Sequence, residues 1–144
     1  MTLFLHGLGF EKIEREAITR LKQNMQLGGS TALCVLIKDN KVQIANVGDS
    51  RAVIINDSGA RVLNNLHDFS NACEEKAVDE RGGVIIERGL TKRLHGELAI
   101  SRSIGDFTYK DYISSTPELS ETIIGPTDNY LLLASDGFWN VITY

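Results

Sequence analysis

The sequence predicts an α+β domain, and three observations carry that prediction: an amphipathic helical segment near the start, a run of short strand-like segments joined by tight turns, and a strongly apolar strand near the end. Residues 11–26 place Ile13, Ala17, Ile18, Leu21 and Met25 at helical spacing, with charges on the other face, so this helix packs on something. Gly28-Gly29 ends it. Residues 31–38 are apolar and rich in strand formers, and Asp39-Asn40 turns the chain into 42–47, where Val42, Ile44 and Asn46 alternate with Gln43, Ala45 and Val47. Residues 51–56 form a third strand, and Asn56-Asp57-Ser58-Gly59 turns into 61–63. Turns this short imply an antiparallel meander, because parallel neighbours need long crossovers.

Residues 71–81 read as a second helix, with Ser70 or Asn71 as its cap, Gly82-Gly83 as its stop, and a narrow apolar stripe through Ala72 and Val78. Residues 84–86 are a short strand. Residues 98–104 are ambiguous, with a short helical segment expected. Residues 130–135 form an apolar strand that runs straight into Asp136-Gly137-Phe138-Trp139. With the last strand and Trp139 so near Tyr144, residues 1–144 read as a single domain cut short.

Composition narrows the classes. The 144 residues suffice for one domain, and 42% apolar with 24% charged residues is the balance of a soluble globular chain. Net charge is −4 and Lys and Arg are scattered, which argues against nucleic acid as a partner. No apolar run approaches the roughly 18–20 residues of a membrane span, so no membrane association is expected. The N-terminus has no basic segment, and His6 and two glycines interrupt its apolar stretch. A secretory signal is therefore not expected, and the compartment expected is cytoplasmic or nuclear. Cys34 and Cys73 are read as free thiols, Cys34 buried within the apolar run 32–37. Neither cysteine opens an anion-cradling loop with a following Arg, which argues against cysteine-based phosphatase chemistry. No Gly-rich loop is followed by Lys-Ser/Thr as nucleotide binding would require.

Four segments carry a resemblance. They are Gly28-Gly29-Ser30-Thr31-Ala32; Ala45-Asn46-Val47-Gly48-Asp49-Ser50-Arg51-Ala52-Val53; the stretch from Arg93-Leu94-His95-Gly96-Glu97 through Ser101-Arg102-Ser103-Ile104-Gly105-Asp106 to Tyr109-Lys110; and Leu131-Leu132-Leu133-Ala134-Ser135-Asp136-Gly137-Phe138-Trp139. In this order and at these intervals they resemble the metal-dependent protein serine/threonine phosphatases (PPM, type 2C), covering roughly residues 28–142. The resemblance implies two antiparallel β-sheets packed as a sandwich with flanking helices. It also implies a phosphoprotein substrate and a pair of Mn²⁺ or Mg²⁺ ions, which lower the pKa of a bridging water and offset phosphoryl charge.

Hard cations take carboxylate, carbonyl and water oxygens. The resemblance makes Asp136 a metal-ligand position; by itself the residue also reads as a cap for a helix starting at Phe138. Asp49 matches a family position near the site that can hold an additional, weaker metal, and reads equally as a turn residue paired to Arg51 or to backbone N–H groups. Asp106 is read as closing a turn. The catalytic and phosphate-binding residues stay unassigned.

The sequence also departs from the pattern. It contains no Asp-Gly-His, and none of its three histidines, His6, His67 and His95, has that setting. The family's late Asp-Asn ligand pair would lie beyond Tyr144, and Asn140 stands where the family usually has an acidic residue. Residues 66–69 replace the usual Asp-His followed by proline, a change expected to affect a loop rather than the chemistry. Two adjacent divalent ions repel strongly and need several carboxylates between them. The chain alone is thus expected to be catalytically incomplete and to self-associate through uncovered core. The alternative is a pseudophosphatase or protein-binding module that keeps the fold without the activity.

Overall fold

The computed structural model describes residues 7–142; His6 and Tyr144 lie outside the described residues. The first helix, α1 (Gly7–Gln23), has Arg20 and Lys22 in its last turn, where cations complement the helix dipole. Its buried face agrees with the expected stripe only in part: Ala17 packs on the core and Ile18 and Leu21 are partly buried, but Ile13 and Met25 are not. Phe10 is 5% exposed and Glu14 8%, whereas Ile13 is 55% exposed and Met25 lies past the helix end in the left-handed region. The contact is centred on a carboxylate, which a hydrophobic count assigns to the polar face. Glu14 accepts a hydrogen bond from the Gly105 N–H at 2.7 Å and an ion pair from Lys110 at 2.9 Å.

Among the described residues ten strands follow in chain order with two further α-helices. They are β1 (Gly29–Ser30), β2 (Ala32–Lys38), β3 (Lys41–Val47), β4 (Arg51–Asn56), β5 (Gly59–Val62), α2 (Ala72–Asp79), β6 (Ile85–Arg88), β7 (Thr91–Leu94), β8 (Ile104–Gly105), β9 (Glu118–Ile123), β10 (Asp128–Ala134) and α3 (Asp136–Trp139). Strands β2-β3-β9 form one antiparallel sheet and β10-β4-β5 another, with two-stranded pairs β1-β8 and β6-β7 beside them. The tight-turn pairings β2–β3 and β4–β5 are as expected, but β3 and β4 do not pair with each other. The chain changes sheet at Gly48-Asp49-Ser50, so the meander is interrupted there.

The two sheets face each other. Val42 and Ile44 of β3 pack with Ala52 of β4, and Leu33, Val35 and Leu131 close around them. The alternate β3 residues Ala45 and Val47 meet Phe10 of α1 and Ile104. β3 is therefore buried on both faces, each full aliphatic burial being worth about 1.5–3 kcal/mol. Cys34 is exposed, contrary to expectation. It sits on the outer face of β2, an edge strand, where α1 reaches Ala32 but leaves Cys34 and Leu36 open.

A third cluster joins Val78 of α2 to Phe69, Leu94 and Ile113. Asn71 caps α2 by accepting from the Cys73 N–H at 3.1 Å. Glu74 and Val78 form the buried side of the helix, and Ala72 is exposed. Residues 98–104 are extended rather than helical. Their backbone is spent on isolated bridges, Asp68 with Ile100 and Arg102 with Ser114, and the Ser101 N–H donates to His67 O at 2.9 Å. Backbone partners distant along the sequence outcompete a local helix here. No helix among the described residues is long and apolar enough to cross a membrane.

Candidate metal centre

The register of the second sheet brings the two predicted aspartates together. Ala134 of β10 lies opposite Arg51 of β4 in an antiparallel ladder. Two residues beyond Ala134 is Asp136, and two residues before Arg51 is Asp49, so both leave the ladder at the same end. Asp136 opens α3 after Ser135, which makes no side-chain cap bond, and it is exposed. Asp49 follows Gly48, whose φ of +103° favours glycine and whose added Cβ would stand 2.3 Å from Thr31 Cγ2.

Their proximity has an electrostatic signature. Half-burial pushes the Asp49 carboxyl above its usual range, the Asp136 carboxylate pushes it further, and Asp68 adds to both. A hydrogen bond from its own backbone N–H and the Arg51 charge work in the opposite direction and do not prevail. Sequence reasoning missed Asp68, placing it in a replaced loop; the signal available was a carboxylate in a segment facing the same sheet end. Asn140 is the last-turn neighbour of Asp136, four residues on and on the same helical side, with its N–H donating to Asp136 O at 2.8 Å. Asp106 stands elsewhere: it takes the left-handed conformation after β8 and donates its N–H to Gly28 O at 2.7 Å, as a turn residue does.

The donor chemistry suits a hard divalent cation: an accumulation of carboxylate charge at one sheet end, insufficiently neutralised by protein cations. The number of donors does not suit two ions. Among the described residues no group of three or more His, Cys, Asp or Glu side chains is disposed to hold a metal.

An open groove of about 560 Å³ runs from Asp49 and Asp68 past Glu75 of α2 to Glu87, Leu90 and Lys92 of the β6–β7 hairpin. Lys92 is held by both Glu75 oxygens at 2.8 Å, which raises its pKa. Leu90 at the hairpin tip is fully exposed. Behind Asp49, His67 lies in a loop, as expected, but is fully buried there, with Nδ1 accepting from the Gly48 N–H at 3.1 Å.

Comparison with known proteins identifies the family. The sequence matches the family described as Protein phosphatase 2C over residues 7–144. It is 38% identical over 136 residues to "Probable protein phosphatase 2C 9" of Arabidopsis thaliana, an alignment covering 93% of this chain and 47% of that protein. It is 37% identical over 115 residues to "Probable protein phosphatase 2C 59" of Oryza sativa subsp. japonica, covering 80% of this chain and 35% of that one. Among solved structures, a C. elegans sex determining protein superimposes with a TM-score of 0.86 at 30% identity over 93% of this chain and 33% of that chain. A serine-threonine phosphatase 2C from Toxoplasma gondii shares the fold with a TM-score of 0.79 at 21% identity, over 93% of this chain and 50% of that chain. The chain thus spans between about a third and a half of the length of these relatives. On the match along residues 7–144 and on these likenesses, the chain belongs to the protein phosphatase 2C family.

Proposed function

We infer that the chain supplies the Asp49–Asp136 side of a metal-dependent protein serine/threonine phosphatase centre, acting on phosphoserine or phosphothreonine of a phosphoprotein in the cytoplasm or nucleus. The observation that carries this reading is the convergence of Asp49 and Asp136 at one end of the β4–β10 ladder, where each raises the negative potential at the other. A bound Mn²⁺ or Mg²⁺ supplies a water of lowered pKa and offsets charge on phosphoryl oxygens. Asp136 would hold the ion from an exposed position, and Asp49, half-buried, would add a second carboxylate of lower solvation. The groove leading from Asp49 to the β6–β7 hairpin accommodates the chain on either side of the phosphorylated residue.

Two carboxylates do not neutralise two divalent ions, so these 144 residues alone hold at most one ion weakly. A second reading, a pseudophosphatase that binds phosphoprotein without turnover, is favoured by Asn140, since a neutral amide is a poorer cation ligand than a carboxylate. The test is Mn²⁺-dependent hydrolysis of an aryl phosphate and a phosphothreonine peptide, with a chelator blank and Asp136→Ala. We expect no turnover from this chain and turnover from a longer form carrying Asp-Gly-His and Asp-Asn segments. Metal-dependent turnover by the 144 residues, abolished by Asp136→Ala, would contradict the claim of incompleteness. A longer form that binds Mn²⁺ but stays inactive would favour the pseudophosphatase.

A further inference from the structure

The turn that presents Asp49 is intrinsically soft. Gly48 has no side chain and a positive φ, so nothing local fixes the orientation of the two peptide planes that flank it. Both planes are instead fixed by one residue. The Gly48 N–H donates to His67 Nδ1 at 3.1 Å, and the Gly48 carbonyl accepts from the His67 backbone N–H at 3.1 Å. The Asn46 side-chain amide supports the same carbonyl at 2.9 Å.

His67 is itself immobilised. Its ring has no exposed surface, Nε2 faces Glu118 Oε2 at 3.4 Å, and its carbonyl accepts from the Ser101 N–H at 2.9 Å. Ser101 in turn donates its hydroxyl to Glu74. An acceptor Nδ1 requires the neutral ring with its proton on Nε2, the atom directed at Glu118.

We propose that His67 is a positioning residue for the cation site, its Nδ1 and backbone N–H clamping Gly48 so that the Asp49 carboxylate is directed at the Asp136 end of the sheet. The proposal rests on the reading that Asp49 binds a divalent cation. Partners one step removed from a metal ligand typically set affinity by about ten- to a hundredfold, because they fix the direction of the ligand.

Packing and positioning make opposite predictions for two substitutions. His67→Phe keeps the ring volume and removes the acceptor. His67→Asn loses volume but keeps an oxygen close to the position of Nδ1. The probe is Mn²⁺ titrated into the ¹⁵N-labelled 144-residue chain, read as paramagnetic broadening of the Asp49 and Ser50 amides, alongside a thermal melt. Asn is expected to melt lower yet bind Mn²⁺ within a few-fold of the parent; Phe is expected to bind about tenfold more weakly or worse. Phe binding as well as the parent, or better than Asn, overturns the clamp. The Asp49→Asn control separates the two layers: if it leaves Mn²⁺ binding unchanged, the cation reading fails and the proposal with it; if it abolishes binding while Phe does not weaken it, the clamp alone fails. Imidazole ¹⁵N shifts of the parent chain give a test that needs no variant to fold: Nδ1 unprotonated supports the clamp, and a proton on Nδ1 overturns it.

Discussion

Arg102→Ala should be among the most damaging single substitutions in this chain. Glu74 lies on the buried side of α2, 8% exposed, and its Oε2 accepts from Ser101 Oγ at 2.5 Å and Arg102 Nε at 3.1 Å, while Oε1 accepts from Arg102 Nη2. Burial alone would push the Glu74 carboxyl up; the hydrogen bonds from Arg102 and Ser101, with the guanidinium charge, outweigh it and hold the carboxyl below its usual range. Removing Arg102 leaves a buried carboxylate with a single hydroxyl donor. Breaking such a pair costs about 3–5 kcal/mol, roughly 10–15 °C in melting temperature for a chain of this size. Replacing both partners with apolar residues, Glu74→Leu with Arg102→Met, should recover all but about 1–2 kcal/mol, since the desolvation of both charges disappears together. The sign with pH follows from the depressed carboxyl. Its stabilisation is fully present above the unfolded value near 4.5 and is lost as pH falls through the lower folded value. The gap between parent and Arg102→Ala should therefore narrow below that point. Urea unfolding across pH measures both quantities. A loss under about 1 kcal/mol at neutral pH, or a gap unchanged down to about pH 3, would refute the reasoning.

Gly48→Ala forces a Cβ to within 2.3 Å of Thr31 Cγ2 at a φ of +103° and should cost about 2–3 kcal/mol, read as a lower urea midpoint with an unchanged slope. Strand β10 is an edge with no charge from Asn129 to Ala134 and with Tyr130 71% and Leu133 44% exposed. Light scattering should show concentration-dependent association that Leu133→Lys reduces, since lysine on an edge opposes strand-to-strand pairing.

The elements set by local chemistry were legible before any coordinates. Asn71 with Gly82-Gly83 brackets α2, and the alternation of β3 marks a strand, because caps and period-two patterns are properties of neighbouring residues. What depends on partners distant in sequence was not. The buried sides of α1 and α2 each carry a glutamate, Glu14 and Glu74, whose burial is sustained by Lys110 and Arg102 from the segment after β7. A hydrophobic count cannot anticipate a carboxylate facing inward. Residues 98–104, ambiguous in sequence with a short helical segment expected, are extended because their serines spend their backbone groups on His67 and Ser114, partners 34 and 11 positions away. Cys34 fails for a related reason: apolar sequence places a residue in a strand, but which face is covered is decided by where α1 lands. At the candidate centre, Asp49 and Asp136 were found through motif resemblance, whereas Asp68 and the His67 clamp required the sheet register to bring separate turns together.

That centre works against the stability of the fold that holds it. Half-burial and the Asp136 and Asp68 charges raise the Asp49 carboxyl, which means that its ionised form at neutral pH is disfavoured in the folded state relative to the unfolded one. The cost is retained by the geometry: β4 and β10 leave their ladder at the same end, so both carboxylates emerge there. On the proposed reading a bound cation would reverse the balance, because the half-buried Asp49 carboxylate would then gain a counter-charge. Asp49→Asn should accordingly melt higher than the parent in chelator, while losing most of the rise in melting temperature that added Mn²⁺ gives the parent. A turn role for Asp49 predicts the opposite order in chelator, since a neutral amide oxygen accepts the bond from its own backbone N–H more weakly than a carboxylate and loses the attraction of Arg51. If Asp49→Asn melts lower without metal, the carboxylate is there to hold the turn, and the charge accumulated at this end of the sheet has another explanation.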